Sequence, residues 1–496
     1  MNHSLHNISY ATEGVPRAVY DLVSVGSGPA GQRAALQGAK AGAKAAVVDR
    51  REELGGVCLH AGTIPSKTLR EAVLFLRGHR QKQFYGDAYA IKRQISLSDL
   101  QAWVNKVFLR EIETLQSQLK RNGVDTYSGQ AELLSERELL LRSPSGEAIQ
   151  LLEADTIFLA TGTVPRRPQE IPFDQEVVYD SNFIFSTRNR RKELPESLII
   201  VGAGVIGSEY ASIFGALGIK VYLLDQRQDL FRFVDSFIVD LLKEHLRSIG
   251  VELYLGVGIG SIERSPHGKA DVHLASGERL TADAVLYAMG RQSCVEPLHL
   301  ERVGIELDSR GVIPVDAQFR TVCRNIFAVG DVIGFPALAS TSFEQGRIAC
   351  RHALGLPVTA ASTIYPYGIY TIPEISMVGE TEQDLVRRGG RYAAGMAHYK
   401  EISKAVMIGD QIGALKLVFD PTDLRLLGVH IIGDHASELV HIGQAVMAYH
   451  GKVDYFIDSI FNYPTLAEAY KVAALKGINT LGDGVMPPAH GQSTPR

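Results

Sequence analysis

Tyr20-Asp-Leu-Val-Ser-Val-Gly-Ser-Gly-Pro-Ala-Gly31 opens on an apolar run and closes on glycines at 26, 28 and 31. A short run of this kind, without helical periodicity, predicts a buried strand from Tyr20 to Val25. The glycines permit a tight turn and a close backbone approach. The Ala-rich segment that follows, to about Lys44, predicts a helix whose first residues, Pro29 and Ala30, face that turn. A second strand over Ala45–Val48 ends on Asp49, with Arg50 beside it. Strand, glycine turn, helix, strand and acid in this register form a βαβ unit for a dinucleotide. The pyrophosphate would sit at the helix N-terminus, and the acid would accept from a ribose hydroxyl.

The same order returns at Leu198. Leu198-Ile-Ile-Val201 predicts a strand, and Gly202-Ala-Gly-Val-Ile-Gly207 the turn, with Gly202, Gly204, Val205, Ile206 and Gly207 as nucleotide candidates. Ser208–Leu217 is the helix, with Glu209 at its start, and Lys220–Leu224 a strand ending on Asp225, two residues before Arg227. Gly31 to Asp49 and Gly207 to Asp225 both span 18 positions. A hairpin also recurs, at Leu139–Leu152 and at Ala270–Leu280. An ordered set of elements repeated in one chain argues for two nucleotide sites more strongly than either turn alone. The fold class is α/β, with two Rossmann-like units. Asp225 would accept from an NAD ribose and repel the 2′-phosphate of NADP. Arg227 is close enough in sequence to offset that charge, so the second site suits dual use as well as NAD alone.

The 496 residues allow several domains. Hydrophobic residues at 45% and charged residues at 21% are ordinary for a soluble globular chain. A net charge of −4 argues against a general surface for nucleic acid or other polyanions. Four cysteines in this length make no disulfide scaffold, and none are at zinc-ligand spacing. Cys294, Cys323 and Cys350 read as buried small residues. Met1–Arg17 is polar, without the apolar centre of a signal peptide, and no run approaches the roughly 20 apolar residues of a membrane span. The expectation is a soluble, cytoplasmic protein.

Between the two repeats, Gly55-Gly-Val-Cys-Leu-His-Ala-Gly-Thr-Ile-Pro-Ser-Lys67 leads into a helix running on to Leu76. It adds Gly55, Gly56, Val57, Cys58, Thr63 and Lys67 to the site candidates. Leu100, Val104, Val107, Phe108 and Ile112 recur at helical spacing within Leu97–Arg121, a packing helix. Thr156–Gly162 is a strand that delivers Thr161 and Gly162, and Ala284–Gly290 one that delivers Gly290 and Arg291. Asn325–Asp331 ends on Gly330 and Asp331, and a carboxylate at a strand's C-terminal end can bond a polyol chain. From about Ala361 the strands Ala414–Phe419 and Leu426–Ile432 mix with helices such as Ala436–Met447, without a phosphate-binding glycine cluster. Gly482–Arg496 reads as a disordered tail.

These motifs, together with Ala160-Thr-Gly162, Ala328-Val-Gly-Asp331 and Phe461-Asn-Tyr-Pro-Thr-Leu-Ala-Glu468, stand in the order of the flavoprotein disulfide reductases. From Tyr20 to Leu481 the chain resembles that family. The resemblance implies FAD on the first unit, NAD or NADP on the second, and an α+β C-terminal dimerisation domain in a homodimer. It implies a polar leader over 1–19, a split FAD domain over 20–165 and 285–355, and an NAD(P) domain over 166–284. The dimerisation domain would cover 361–481 and the tail 482–496.

Two positions depart from the family. Its second redox cysteine lies five residues after the first, where this chain has Thr63 after Cys58. A Cys/Thr pair cannot form a disulfide. Tyr463 stands where the family places its catalytic histidine, although Glu468 is kept. That histidine moves protons for the dithiol, so losing both implies that the disulfide half-reaction is absent. Cys58–Lys67, Gly368–Ser376 and Phe461–Tyr470 are similar to the branch of the family that exchanges hydride between nicotinamide nucleotides. The expected reaction is NADPH + NAD⁺ = NADP⁺ + NADH, passed through FAD in a ping-pong exchange. In it Lys67 places positive charge near the flavin, Glu209 is the lysine's partner, and Cys58 either touches the flavin or only packs. A diaphorase or oxidase reducing quinone or oxygen is the enzymatic rival, favoured by Asp225. A non-catalytic redox sensor or docking subunit is the rival of another class, disfavoured by Lys67, Glu209 and the two intact turns.

Overall fold

The computed structural model describes residues 14–78, 81, 84–86, 91, 92, 94–182, 193–358 and 363–481. The expected tail over 482–496, and the leader as far as residue 13, lie outside the described residues. The chain divides into two compact units, one drawn from 1–69, 97–192 and 288–361, the other from 70–96, 193–287 and 362–496.

The first unit begins with β1 (Arg17–Val25), α1 (Pro29–Lys40) and β2 (Ala45–Asp49). β1 starts ahead of the expected Tyr20 because Arg17, Ala18 and Val19 pair with Leu151, Leu152 and Glu153 of a long neighbouring strand. The stretch after β2 folds into α2 (Gly56–His60) and α3 (Thr63–Arg77). α4 (Leu97–Arg121) buries Leu100, Val104, Ile112, Leu115 and Leu119, the apolar stripe expected of a packing helix. β3 (Asp125–Ser128), β4 (Gln130–Leu133), β5 (Glu138–Arg142) and β6 (Ala148–Leu159) follow, then β7 (Thr163–Pro165). β5 and β6 form the expected hairpin, and β6 continues unbroken through the region read as a separate strand.

The sheet order is β3-β2-β1-β6-β5-β4. Its parallel centre is buried on both faces, with Leu22, Val23, Val47, Ile157 and Phe158 fully enclosed. Strands covered on both faces read as continuous apolar runs instead of alternating ones.

The second βαβ pattern is β8 (Ser197–Val201), α5 (Val205–Ala216), β9 (Lys220–Asp225), α6 (Ser236–Ser248) and β10 (Val251–Leu255). An antiparallel sheet of β11 (Ile259–Arg264), β12 (Ala270–Leu274) and β13 (Arg279–Ala282) follows, and β14 (Ala284–Tyr287) rejoins the parallel strands in the order β10-β9-β8-β14. The chain then returns to the first unit. β15 (Arg291–Ser293) pairs with β7, and β16 (Ile326–Ala328) adds to β6 in parallel. Phe158 and Phe327 stack at 5.2 Å between ring centres. The expected strand to Asp331 is shorter, because Gly330–Ile333 turns into a 3₁₀ helix. α7 (Ala339–Ala353) lies so close to α1 that a Cβ on Gly346 would come 2.0 Å from the Ala30 carbonyl oxygen.

The rest of the second unit is an antiparallel sheet, β17 (Tyr367–Ile369), β18 (Ile375–Gly379), β19 (Ala393–His398), β20 (Ala414–Phe419) and β21 (Leu426–Ile432), in the order β17-β18-β21-β20-β19. α8 (Ala436–Ala448) and α9 (Glu468–Asn479) pack on it through a core that includes Phe419, Val429, Ile431, Tyr470 and Ala473. Among the described residues no helix is long and apolar enough to cross a membrane.

Candidate functional site

Three parallel strands of the first unit end side by side. Ala160 N–H donates to the Val25 carbonyl at 2.8 Å, and Val329 N–H to the Leu159 carbonyl at 3.1 Å. The ends of β1, β6 and β16 thus bring Gly26, Ala160–Gly162 and Gly330–Asp331 together, at the carboxyl edge where open α/β sheets take ligands. Gly26 has φ +109°, and a Cβ there would lie 2.2 Å from the Ala160 oxygen, so only glycine fits. Gly28 caps α1 without a side-chain bond, and a Cβ on it would meet nothing within 4 Å. The helix N-terminus therefore opens onto free space.

That space is an open cleft. Of the expected residues, Gly26, Gly28, Pro29, Ala30 and Asp49 line it from the first βαβ unit. Gly56, Val57, Cys58 and Thr63 line it from α2 and α3, and Thr161, Gly162, Gly330 and Asp331 from the other strand ends. A second cleft shares Gly26, Asp49 and Thr161 with the first and carries Arg50. Gly31, Gly55 and Lys67 are outside both linings. Gly31 lets α1 approach β1, since its Cβ would sit 1.9 Å from the Gly26 oxygen. Gly55 N–H donates to Ser27 Oγ at 2.8 Å, and Lys67 Nζ to Ser66 Oγ at 3.3 Å.

Asp49 Oδ2 accepts from Ser27 N–H at 3.0 Å and from Ser27 Oγ at 2.5 Å, and its Oδ1 from Arg51 N–H at 3.1 Å. Burial pushes the Asp331 carboxyl above the usual range, against the charge of Arg291 and hydrogen bonds from Ser342 and Thr163. Arg291 is itself mostly enclosed. It donates to Thr163 Oγ1 at 2.8 Å and to the Thr163 carbonyl at 2.9 Å, fixing that part of the wall, and burial lowers its pKa against the charges of Asp331 and Asp180. Gly290 precedes it at φ +90°, with its carbonyl accepting from Arg166 N–H. Ser27, Thr163 and Ser342 line the cleft too, and sequence reasoning did not single them out. Ser27 stands at a variable position of the glycine motif and Thr163 just after Thr-Gly, so adjacency was a usable signal for both. Ser342 arrives on α7 with no local signal.

The donor set fits FAD, an extended dinucleotide with a polyol chain. Two adjoining clefts share a wall, the N-terminus of α1 opens where a pyrophosphate would sit, and two acids, Asp49 and Asp331, line the first cleft. Thr161 Oγ1, on the shared wall, is buried and has no hydrogen-bond partner among the described residues.

Cys58 is a free thiol at the cleft wall. Burial pushes its pKa up; the Thr63 hydrogen bond opposes this, Asp331 adds to it, and Lys67 opposes it. The net result is a thiol held protonated. Cys323 and Cys350 are buried and free, as expected. Cys294 is not buried. It sits half-exposed on the second cleft, where Arg50 Nη1 approaches its sulfur at 3.5 Å, because the cleft leaves it uncovered.

In the second unit the turn is built alike. Gly202 has φ +105°, a Cβ on Gly207 would lie 1.8 Å from the Gly202 oxygen, and Gly204 caps α5, which opens on Val205 and Ile206. Asp225, at the end of β9, is only 3% exposed and paired with Arg227, which reaches its two oxygens at 2.9 and 2.6 Å. Burial works to raise the Asp225 pKa, but the bonds from Arg227 and from the Ala203 and Arg227 amides prevail and hold it below the usual range. Glu209 is buried, and its Oε1 accepts from Tyr370 N–H at 2.9 Å, while Ser212 Oγ accepts from Ile372 N–H at 3.0 Å. The Gly368–Ser376 stretch is thereby tied to α5. Tyr463 is exposed, sharing a hydrogen bond with Ser403 at 2.8 Å, and Glu468 Oε2 is buried without a hydrogen-bond partner among the described residues. No described group of His, Cys, Asp and Glu could hold a metal ion.

Residues 20–346 match the family model of the pyridine nucleotide-disulphide oxidoreductases, and residues 365–474 match the dimerisation domain of the same family. The soluble pyridine nucleotide transhydrogenase of Mycobacterium tuberculosis is 46% identical over 462 residues, covering 93% of this chain and 98% of the relative. That of Pseudomonas aeruginosa is 42% identical over 465 residues, covering 93% and 99%. Among solved structures, LpdA from Mycobacterium tuberculosis superposes with a TM-score of 0.83 at 26% identity, covering 93% of this chain and 99% of its own. The HOCl-induced flavoprotein disulfide reductase RclA from Escherichia coli gives 0.81 at 28% identity, covering 92% and 99%.

Proposed function

The chain belongs to the pyridine nucleotide-disulphide oxidoreductase family, and from that premise we propose that it is an FAD-dependent NAD(P)⁺ transhydrogenase working by a ping-pong exchange. The reaction is NADPH + NAD⁺ = NADP⁺ + NADH, the activity named for its relatives at 42–46% identity. One observation carries the ping-pong reading. At the cleft wall Cys58 is a lone thiol beside Thr63, so there is no dithiol to take electrons onward. The acceptor is then a second nicotinamide at the second βαβ unit.

FAD, held by these residues, would supply the two-electron redox chemistry between the two nicotinamides. The N-terminus of α1 and the glycines around it hold the pyrophosphate. Asp49, fixed by Ser27, takes the adenosine ribose, with Arg50 alongside in the second cleft, and Asp331 bonds the polyol chain. Arg291 keeps Thr163 in place and offsets the Asp331 charge. Lys67 supplies positive charge near the ring system, and Glu209, buried at the start of α5, acts from the second unit. Gly202 to Gly207 and the start of α5 take the nicotinamide nucleotide, with Asp225 and Arg227 at its adenosine ribose. The Asp225–Arg227 pair also weakens the reading as an NADH-only diaphorase, because the acid is no longer an uncompensated charge. The split domain limits given above, a homodimer and a cytoplasmic setting complete the proposal.

Initial rates with NADPH and thio-NAD⁺ varied against each other test the order of events. Parallel double-reciprocal lines are expected. Intersecting lines would replace ping-pong by a ternary complex, and turnover only with quinone or oxygen would replace the transhydrogenase by a diaphorase.

A further inference from the structure

Asp49 and Asp225 occupy the same place in the two βαβ repeats, yet their partners differ. Each accepts from the backbone N–H two residues on, Arg51 at 3.1 Å and Arg227 at 2.8 Å, and from an N–H of the glycine turn, Ser27 at 3.0 Å and Ala203 at 2.7 Å. In the first repeat the Ser27 hydroxyl adds a further bond at 2.5 Å. Ala203 has no hydroxyl to offer. Its place is taken by the Arg227 guanidinium, whose Nε and Nη2 reach Oδ1 and Oδ2.

This substitution matters because the two partners differ in freedom. The Asp225 side chain is 3% exposed, and the Arg227 side chain 40%. The acid is fixed and the base stands at the solvent edge. If the guanidinium leaves, Asp225 keeps both backbone N–H bonds, so a buried charge is not stranded. The fork also lies at the mouth of the nucleotide turn. A Cβ placed on Gly204, the residue that caps α5, would be 3.9 Å from Arg227 Nη2. With a pyrophosphate on the α5 N-terminus, the adenosine ribose falls beside this pair.

We propose that Asp225 and Arg227 form an exchangeable pair that selects neither nucleotide and admits both. For NADP(H), Arg227 turns from Asp225 to the 2′-phosphate, matching its planar fork to phosphate oxygens. For NAD(H), Asp225 takes the ribose hydroxyls and Arg227 swings into solvent. Without Arg227 the acid would repel the phosphate, and without Asp225 the NAD ribose would lack its acceptor. The inference rests on the assignment of the second βαβ unit as the nicotinamide site.

The test uses the purified full-length holoenzyme and two probes that need no turnover, 2′,5′-ADP and ADP, bound by titration calorimetry. It adds the ratio of kcat/KM for NADPH over NADH. Arg227→Ala is expected to lower that ratio, and the affinity ratio of 2′,5′-ADP over ADP, by about 10- to 100-fold, the worth of a lost charge-assisted bond. Asp225→Asn is expected to move both ratios the opposite way. Arg227→Lys, which keeps the charge without the fork, is expected to recover part of the loss. Equal losses for both probes in Arg227→Ala, or an unshifted ratio in Asp225→Asn, would overturn the pair as the element that admits both nucleotides. Failure of NAD⁺ to reoxidise the wild-type flavin would overturn the transhydrogenase reading instead, and the probe affinities are read independently of it.

Discussion

Thr63 lines the cleft with Cys58, five residues on, where the family's sequence has its second thiol, and its hydroxyl works against the raised Cys58 pKa. A hydroxyl can hold the sulfur but cannot share an electron pair with it, so the cleft keeps one thiol and no acceptor. Two outcomes follow at this scale. In an anaerobic titration the wild type is expected to take up one equivalent of NADPH per flavin. Thr63→Cys, which creates a disulfide partner at the same spot, is expected to take up two. A second equivalent in the wild type would mean an electron store other than the flavin. The pH dependence is signed as well. Burial holds the Cys58 thiol above its ordinary pKa despite Thr63 and Lys67. A group raised in this way stays protonated through neutral pH, so a thiolate-to-flavin absorbance band is expected only on strongly alkaline titration. The Cys58→Ser spectrum should lack it throughout.

At the scale of elements, β20 carries a lysine between apolar residues, and Lys416 is buried at 5% exposure of its side chain. Its Nζ lies 2.8 and 2.9 Å from the oxygens of Asp235, the fully buried N-cap of α6, and 2.8 Å from Glu382. This cluster ties β20 to the start of α6 and to the Glu382 segment. Removing the cation strands a buried carboxylate, so Lys416→Ala is expected to cost about 3–5 kcal/mol in urea unfolding. Joint replacement of Lys416 and Asp235 by apolar residues should cost much less, and equal losses in the single and double variants would contradict the ion-pair account. The contrast with the glycine turns shows what a sequence carries. Gly26–Gly31 and Gly202–Gly207 were legible because turn, helix start and acid all lie within one short βαβ segment. Lys416 and Asp235 are 181 residues apart, and nothing local marks either as a partner. Ser342 likewise reaches Asp331 only through the packing of α7. Cys294 was misread because burial depends on what covers a residue, and a cleft lies over it.

For the whole molecule, the repeat decides the function. Each unit has its own parallel sheet, glycine turn and terminal acid, and the differences between the repeats divide the labour. The first adds a third strand end bearing Asp331 and a cleft onto which the N-terminus of α1 opens. The second adds the Asp225–Arg227 pair, a buried acid with its base at the solvent edge. With no second cysteine beside Cys58, a second nicotinamide is the proposed acceptor, and quinone or oxygen is its rival. Anaerobic sequential-mixing stopped-flow tests that claim most directly. The protein is first reduced with one equivalent of NADPH, then mixed with NAD⁺ while flavin absorbance and NADH are followed. Fast bleaching in the first mix, and in the second a return of oxidised flavin matched mole for mole by NADH, is the predicted result. A flavin that NADPH reduces but only oxygen or quinone reoxidises would contradict the account.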